Sequence, residues 1–194
     1  MLHALIAAHP NQNSFTLSMA RAYGTAAEMR GHKVVLRDLY RMGFEPRMAA
    51  DEIPWTPSSA PHDDVKAERE TLKDAGVFVL FYPLWLNAPP AIMKGYLERV
   101  FGLGFAYGRG GAGNEPLLKG RKLISFSASG APAEWVKSTG AFDAMRKLFD
   151  EHVAGVCGLT VLDHIHFGGI VPNIRKDVVD AHLEAVRATV AKYF

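Results

Sequence analysis

The segment VFVLFYPLWLNAPPAIMKGYLERVF, residues 77–101, decides the fold of this chain. From Val77 to Tyr82 it is a continuous apolar run, rich in β-branched and aromatic side chains. The run is short enough for a strand, and its lack of polar alternation predicts burial on both faces, as in a parallel sheet. Pro83 has no N–H for a strand ladder, so we expect the strand to end there.

A helix is expected after this strand. Pro89 and Pro90 are placed to open it, because the first helical residue needs no N–H donor. The loop between strand and helix, Leu84–Ala88, is apolar except for Asn87. Loops at the carboxyl ends of parallel strands form the ligand crevice of open α/β sheets. An apolar, aromatic loop there suits a flat ring better than a phosphate, and the alternative is a hydrophobic turn packed on its own helix.

The start of the chain repeats this pattern with a polar turn. Leu2–Ala8 reads as a strand, and a helix is expected to run to about Arg30. The N–H groups at such a helix start, together with the helix dipole, favour an anion such as phosphate. The turn between them offers the hydroxyls of Ser14 and Thr16 and the amide of Asn13. The alternative is that Ser14 or Asn13 is a helix N-cap.

Several motifs resemble one family. Tyr82–Trp85, Pro90–Gly95 and Glu98–Phe101 resemble the flavin-ring segment of DT-diaphorase-type NAD(P)H:quinone oxidoreductases, which have a flavodoxin-like fold. The polar turn also has that family's spacing of a histidine, a short spacer, Ser-Phe and a polar residue, and the family uses this turn for the flavin phosphate. The resemblance implies that the flavin is bound by His9, Asn13, Ser14, Phe15, Thr16, Pro83, Leu84, Trp85, Leu86, Asn87, Ser127, Ala128, Ser129 and Gly130.

The loop Ser127–Gly130 follows the expected strand Lys122–Ser127 and is a degenerate match to the family's Thr-Thr-Gly-Gly. Its small residues let backbone N–H groups approach a ring edge. A flavin gains negative charge at its N1–C2=O side on reduction, so fixed backbone dipoles there would tune its potential. The family commonly follows this loop with a tyrosine and a histidine that relay protons, at the positions of Trp135 and Ala141 here. Tryptophan does not give up its N–H proton and alanine has none to give, so Trp135 occupies the catalytic position without that relay chemistry.

The glycine-rich segment Gly102–Gly120 contains Phe105-Ala106-Tyr107 and is expected to be a mobile lid or an interface arm. In the family, the tyrosine of this triplet reaches the substrate pocket formed with the partner subunit. The resemblance therefore implies a homodimer with its active site at the interface. It also implies a substrate pocket that includes Asn87, Tyr107 and Trp135. The expected cofactor is FAD or FMN, since both fit the phosphate turn, and FAD is favoured because this triplet resembles the FAD-using members.

Strands and helices alternate five times along the chain. This predicts an α/β flavodoxin-like three-layer sandwich over a single domain, residues 1–194, with a five-stranded parallel sheet and helices on both faces. A helix is expected over Ala141–Val153, with Leu148 among its core-facing residues. His164 and His166 share one face of the last strand, but no third ligand at suitable spacing supports a metal site.

Composition narrows the possible functions. Lys plus Arg is 22 and Asp plus Glu is 20, so the chain shows no electrostatic footprint for nucleic acid. The lone Cys157 rules out an internal disulfide and reads as a buried apolar residue. No apolar run reaches the roughly 20 residues of a membrane span, and no signal peptide is evident, so a cytoplasmic protein without membrane partners is expected.

The leading hypothesis is a flavin-dependent NAD(P)H oxidoreductase that passes two electrons to a quinone or similar acceptor. Two alternatives stay open. One is a regulatory flavoprotein of the kind found in this family as ancillary subunits of glutathione-gated potassium efflux systems. The other is a flavodoxin-like electron carrier, which the net charge of +2 disfavours because such carriers usually have acidic surfaces. The sequence leaves open NADH against NADPH and the identity of the acceptor.

Overall fold

A computed structural model describes residues 1–56, 59–111 and 113–194 of the chain. Positions 57 and 58, in the proline-rich stretch between the second strand and the second helix, lie outside the described residues. Position 112, in the expected lid or interface arm, also lies outside them.

Within the described residues, five strands form one parallel sheet in the order β2-β1-β3-β6-β7. This confirms the predicted five-stranded α/β architecture. Two further strands, β4 and β5, pair with each other as an antiparallel hairpin. The strands are β1 (Leu2–Ala7), β2 (Lys33–Asp38), β3 (Ala75–Pro83), β4 (Tyr107–Gly110), β5 (Gly113–Pro116), β6 (Lys122–Ala128) and β7 (Thr160–Phe167).

Helices cover both faces of the sheet. One hydrophobic core joins α1 and α7 to the sheet, and a second core joins α2, α3, α5 and α6 to the opposite face. A short 3₁₀ turn spans Ala50–Glu52, and a π-helical segment spans Arg146–Glu151. The helices are α1 (Phe15–Glu28), α2 (Asp63–Leu72), α3 (Ala91–Val100), α4 (Ala133–Ser138), α5 (Ala141–Met145), α6 (His152–Cys157) and α7 (Lys176–Tyr193).

The central strand β3 is buried on both faces, as its apolar run predicts. Phe78, Leu80 and Tyr82 belong to the core under α3, whereas Val77 and Phe81 belong to the core under α1. Successive strand residues point to opposite faces, so a single apolar run fills both cores. Each face therefore places its helices, and the loops that lead into them, around the carboxyl end of β3.

The Glu98-Arg99 motif has a structural use in α3. Arg99 is buried, and its guanidinium contacts the carboxylates of Glu52 at 2.9 Å and Asp64 at 2.7 Å, and the carbonyl oxygen of Glu45 at 2.6 Å. A buried charge needs such partners to offset the cost of its desolvation. Arg99 thereby ties the irregular segment after β2 to the helix α3.

The expected helix over Ala141–Val153 is interrupted. The π-helical segment follows α5 and widens the helix by one residue, which rotates the side chains that come after it. Leu148, which was expected in the core, is instead exposed, and Asp150 is fully buried. The regular 3.6-residue period used for the prediction does not anticipate this change of register.

In the described parts of the chain, none of the helices combines the length and the apolar character that crossing a membrane requires.

Candidate functional site

Three loops meet in one cavity of about 180 Å³ at the carboxyl edge of the sheet. They follow β1, β3 and β6. The strand order reverses between β1 and β3, and this is where open α/β sheets bind ligands. The lining residues are His9, Phe15, Thr16, Pro83, Leu84, Trp85, Ala128, Ser129, Gly130 and Ile170. All of these except Ile170 are among the predicted cofactor-binding residues.

The polar turn after β1 is held by its own side chains. The backbone N–H of Asn13 donates to Oδ1 of Asn11 at 2.9 Å, and Ser14 Oγ accepts from the N–H of Leu17 at 3.3 Å. Ser14 is therefore the N-cap of α1. By helix geometry, the N–H groups of Phe15 and Thr16 have no acceptor inside the helix, so they remain free for a ligand. Asn13 itself is exposed.

His9 lies between this turn and the loop after β3. Its Nδ1 accepts the backbone N–H of Asn11 at 3.0 Å, and its ring meets the Trp85 ring edge-on at 6.0 Å between centroids. Burial, and then the nearby Arg41 charge, lower the pKa of His9. A neutral ring whose Nδ1 accepts carries its hydrogen on Nε2. His9 thus has one N–H to donate to a ligand.

Two arginines that the sequence motifs did not indicate stabilise the turn by donating hydrogen bonds to its carbonyl oxygens. Arg41, which follows β2, donates to the carbonyl oxygens of His9 at 3.2 Å and of Pro10. Arg21 of α1 donates to the carbonyl oxygen of Gln12 at 3.0 Å. The turn itself contains no lysine or arginine, so the donors that it offers to an anion are neutral. Arg41 reaches it from a neighbouring strand, which the known order of parallel strands in such folds could have suggested.

The loop after β3 is a tight two-residue turn. Trp85 and Ala88 exchange both backbone hydrogen bonds, at 3.0 and 3.1 Å. Leu86 and Asn87 at its tip have φ angles of +52° and +58°, a left-handed conformation that disfavours leucine in particular. The Leu86 side chain is completely exposed. An apolar side chain held in water on a strained turn indicates a functional role for this loop.

The loop after β6 closes the cavity from the other side. The carbonyl oxygen of Ala128 accepts from Leu84 N–H at 2.7 Å, which ties two of the three loops together. Ser129 is bound to the last residue of β7 through its N–H, which donates to the carbonyl oxygen of Phe167 at 2.9 Å. At Gly130 an added Cβ would find its nearest atom, Ile170 O, 3.8 Å away, and its φ is not positive. The protein itself therefore leaves room for a side chain at Gly130, which fits a position kept small for close approach of a ligand.

Ser127 lies beneath this loop rather than in the cavity wall. Its Oγ contacts His164 Nε2 at 2.8 Å and His166 Nδ1 at 2.9 Å. His166 Nε2 in turn contacts Ser129 Oγ at 3.0 Å, and His164 Nδ1 contacts the carboxylate of Asp150 at 2.6 Å. The sequence places the two histidines on one face, as the structure does, but it gave no reason to bring Asp150 to them. Among the described residues, no cluster of three or more His, Cys, Asp or Glu side chains has metal-ligand geometry.

The remaining predicted site residues lie outside the cavity wall. Leu86 and Asn87 project from the tip of the turn, and Trp135 lies half-exposed on α4. Tyr107 begins the β4–β5 hairpin and lines a second cavity of about 690 Å³ together with Phe101 and other apolar residues of α3 and α6. Within one chain, the structure therefore does not bring Asn13, Ser14, Leu86, Asn87, Ser127, Tyr107 or Trp135 into the cavity lining.

Comparisons with known proteins agree with this geometry. The family model for Flavodoxin_2, described as a flavodoxin-like fold, matches residues 1–190. A protein of Haemophilus influenzae named as an uncharacterized NAD(P)H oxidoreductase is 31% identical over 171 residues, which cover 88% of this chain and 85% of that protein. NAD(P)H dehydrogenase (quinone) 1 of Rattus norvegicus is 26% identical, over 98% of this chain and 79% of that protein.

The solved structure of an NAD(P)H:quinone oxidoreductase from Methanothermobacter marburgensis superposes with a TM-score of 0.84 at 27% identity. The superposition covers 98% of this chain and 95% of that one. These matches confirm the resemblance to NAD(P)H:quinone oxidoreductases that the motifs indicated. The chain belongs to the Flavodoxin_2 family and has its flavodoxin-like fold.

Proposed function

We propose that this chain is a flavin-dependent NAD(P)H oxidoreductase that transfers two electrons from NAD(P)H to a quinone or a similar acceptor. The observation that carries the proposal is the meeting of three chemically different loops at one cavity. One offers free N–H groups for a phosphate, one offers an apolar aromatic wall, and one offers small residues with backbone donors. The names of the similar proteins from Haemophilus influenzae and Rattus norvegicus support the same activity.

The residues after β1 fit a flavin phosphate. The free N–H groups of Phe15 and Thr16 and the hydroxyl of Thr16 converge at the start of α1, where the helix dipole favours an anion. Ser14 Oγ accepts a hydrogen bond from the helix, so its own hydrogen stays available for donation. The donors that the turn offers are neutral. Arg41 adds a positive charge on the side of the turn where its carbonyl oxygens lie.

The residues after β3 and β6 fit the ring. Pro83, Leu84 and Trp85 form one apolar wall, and the backbone from Ala128 to Gly130 faces them. A bound flavin supplies the hydride-accepting and hydride-donating N5 atom, which this chain's own side chains lack. The protein's part is to hold the ring edge-on to backbone donors and to exclude water from its face with Trp85 and Leu86.

Both substrates are proposed to use one pocket in turn, which gives ping-pong kinetics. Leu86 and Asn87 at the exposed turn tip and Trp135 on α4 surround the mouth of that pocket in this proposal. Trp135 donates an indole N–H to the substrate but transfers no proton. Tyr107 lies on the β4–β5 hairpin and lines the 690 Å³ cavity, not the cavity formed by the three loops of its own chain. In this proposal Tyr107 therefore completes the pocket of a second copy of the chain.

The second copy is proposed to cover the 690 Å³ apolar cavity. Its walls include Phe101, Phe149 and Val153, and Leu148 stands exposed beside them. Removing such apolar surface from water is the main driving force of stable subunit association. A homodimer would therefore bury this surface and bring Tyr107 to the partner's site.

FAD is the proposed cofactor, since the Phe105-Ala106-Tyr107 segment resembles the FAD-using members of the family. Chromatography of the flavin retained by the purified protein tests this choice against FMN. Initial rates measured with NADH and with NADPH, and with benzoquinone, nitroaromatic and azo acceptors, decide the partners of the flavin.

The central experiment is steady-state kinetics with FAD, NAD(P)H and benzoquinone. Parallel double-reciprocal plots are expected, and intersecting plots would contradict the single-pocket mechanism. Thr16→Val removes a donor from the phosphate turn and is expected to weaken flavin binding by about 10-fold, the effect of one hydrogen bond. Thr189→Val is the matched control, because Thr189 is also buried but bonds to Ala185 O in α7. Equal loss of flavin in both variants would show that Thr16 does not contact the flavin.

A regulatory flavoprotein is the second candidate. It is favoured by Trp135 and Ala141, which replace the two residues of the family's proton relay. It predicts a protein that keeps its flavin but turns over quinone slowly with either nucleotide. Rapid quinone turnover would exclude it.

A further inference from the structure

A buried chain of hydrogen bonds connects the cavity wall to a carboxylate. It runs through Ser129, His166, Ser127, His164 and Asp150. The successive contacts measure 3.0, 2.9, 2.8 and 2.6 Å. Ser129 lines the cavity, whereas Asp150 and the side chain of His164 have no exposed surface.

The hydroxyl of Ser129 fixes the direction of these bonds at the cavity end. It donates to the carbonyl oxygen of Ala131 at 2.9 Å, and it has one hydrogen to give. With that hydrogen directed at Ala131 O, His166 Nε2 is the donor in its contact with Ser129. The reverse direction, with Ser129 donating to His166, leaves His164 neutral, and the ring-proton count described below decides between the two. Burial, and then the nearby His164, lower the pKa of His166 to about 4, so its ring is neutral. Its Nδ1 consequently accepts the hydroxyl hydrogen of Ser127.

The same count of available hydrogens applies at the Asp150 end of the hydrogen-bonded chain. The hydrogen of Ser127 is already used, so His164 Nε2 donates to Ser127 Oγ. His164 Nδ1 faces Oδ2 of Asp150 at 2.6 Å, and a hydrogen must also lie between these two atoms, because two lone pairs would repel. Both nitrogens of His164 then carry hydrogens. In this direction of the bonds, the His164–Asp150 pair holds one proton more than a neutral ring beside a carboxylate.

This stored proton is shielded from water. The Phe142 ring packs against both histidines, with centroids 5.1 Å from His164 and 5.8 Å from His166. Ser125 donates to the second oxygen of Asp150 at 2.7 Å, so neither carboxylate oxygen lacks a partner. The π-helical segment is what turns Asp150 inward, and such segments are frequent at functional sites.

Few other ionisable groups face the pair. The Tyr82 ring lies 6.1 Å from His164, and its hydroxyl donates to Met145 Sδ at 3.5 Å. Burial, and then the Asp150 charge, raise the pKa of Tyr82 well above its usual value. Asp163 accepts the backbone N–H of His164, but its carboxylate is paired with Lys192 at 3.2 Å.

We propose that these five side chains form a proton relay that delivers one proton from the His164–Asp150 pair to a bound acceptor at Ser129. The Ser129 hydroxyl gives its hydrogen to the acceptor oxygen and takes the Nε2 hydrogen of His166. His166 takes the hydrogen of Ser127 at Nδ1, and Ser127 takes the Nε2 hydrogen of His164. His164 becomes neutral and the acceptor gains one proton. A proton from water at the cavity mouth reverses these steps and restores the starting state.

The relay rests on the proposed function, because conversion of a quinone to a hydroquinone consumes one proton besides the hydride. NAD(P)H supplies the hydride, and the relay supplies the proton. The positions of Trp135 and Ala141 provide no such proton. The relay, which lies beneath the loop after β6, would thus supply the proton that Trp135 and Ala141 do not supply.

The first test counts protons directly and needs no flavin. Nitrogen-15 NMR of the histidine rings in the purified protein at pH 7 should show both nitrogens of His164 protonated and His166 neutral with its hydrogen on Nε2. In Asp150→Asn, His164 should lose one ring proton, and His182→Asn is the control that leaves both signals unchanged. A neutral His164 in the unsubstituted protein would overturn the proposal, whether or not the chain reduces quinones.

The second test separates the relay from a structural role. In His166→Asn the amide can still bond to Ser127 but no longer reaches Ser129. Its reoxidation by benzoquinone should slow by about 100-fold, the size of one general-acid contribution. Ferricyanide takes up no proton when it is reduced. The rates at which the variant is reduced by NAD(P)H and reoxidised by ferricyanide should therefore change by less than about 2-fold, far less than one general-acid contribution.

The outcomes separate the relay from the proposed function. Equal slowing with both acceptors would overturn the relay and assign His166 a structural role. Unchanged reoxidation by benzoquinone would overturn it as well. Failure of the unsubstituted protein to reduce its flavin would instead contradict the proposed function, while the ring-proton count would still decide whether the stored proton exists.

Discussion

At the scale of single residues, Leu86 combines an unfavourable backbone conformation with an unfavourable exposure of its apolar side chain. Its φ of +52° and its fully exposed side chain both oppose folding. Asparagine tolerates this left-handed conformation, so Leu86→Asn should raise the free energy of unfolding by about 1 kcal/mol. The same change should weaken flavin binding, because an apolar cover is replaced by a polar one. Urea denaturation and fluorescence titration with FAD measure the two effects.

Leu86→Ala separates these two contributions. It removes the apolar cover but keeps a Cβ in the strained conformation, so flavin binding should weaken without a gain in stability. If Leu86→Asn stabilised the protein and left flavin affinity unchanged, Leu86 would be a packing defect rather than part of the site.

His3 makes stability depend on pH. It is buried in β1, and burial, followed by the nearby His32 charge, lowers its pKa to about 4. Unfolded histidine has a pKa near 6.5, so between about pH 6.5 and pH 4 the unfolded chain binds a proton that the folded chain does not. Stability should therefore fall as pH is lowered through this window, by up to about 1.4 kcal/mol per pH unit from this residue.

His3→Gln should remove that share of the slope, because glutamine does not titrate and its amide can still bond to the Tyr23 hydroxyl. Urea midpoints measured at several pH values from 7 to 4 give the slope. The slope that remains should include His166, whose pKa is also lowered to about 4. A slope unchanged by the substitution would mean that His3 has the same pKa in the folded and the unfolded chain.

At the scale of elements, Gly95 sets how closely α3 approaches the segment after β2. A Cβ at Gly95 would lie 2.2 Å from the carbonyl oxygen of Pro46. Gly95→Ala should therefore separate α3 from this segment and disturb the Arg99 contacts, at a cost of about 3 kcal/mol. Gly155 of α6 is the matched control, because no atom of the residues that the structure describes lies within 4 Å of an added Cβ. Gly155→Ala should be neutral or stabilising by up to about 1 kcal/mol.

Thermal or urea unfolding of the two variants measures the difference. Equal stabilities would show that α3 can move away from Pro46 without loss. The comparison is internal, since both substitutions add one methyl group inside a helix.

The elements also show which features the sequence could predict. The strand β3 follows from local chemistry, because six consecutive apolar residues and a proline define its faces and its end. The exposure of Leu148 and the burial of Asp150 do not follow, since a helical period assigns the reverse. The widened turn is stabilised by contacts of Asp150 with Ser125 and His164, which are distant in sequence. Tertiary contacts of this kind are invisible to periodicity.

The same distinction applies to the candidate site. The loop residues could be predicted because each follows an apolar strand and matches a family motif. Asp150 could not, because the π-helical segment that carries it matches no motif. Arg41 could be anticipated only from the order of the parallel strands, which sets the end of β2 beside β1. Sequence therefore anticipated the cavity wall but not the charges behind it.

At the scale of the whole molecule, the 690 Å³ apolar cavity is proposed to lie at a subunit interface. Sedimentation should give a mass of about twice 21.3 kDa. Leu148→Asp places a charge beside the cavity and should yield monomers with weakened flavin binding, because Tyr107 is then lost from the partner's site. Met29→Asp, on the opposite face of the sheet at the end of α1, is the control. A monomeric unsubstituted protein would contradict the shared site.

The central claim is that the three loops hold a flavin that NAD(P)H reduces. The visible spectrum of the purified or FAD-reconstituted protein, recorded before and after anaerobic addition of NADPH or NADH, tests it most directly. A yellow protein whose visible flavin absorbance bleaches fully with one of the nucleotides is the predicted result. A protein that binds no flavin, or whose flavin bleaches with dithionite but with neither nucleotide, would contradict the account.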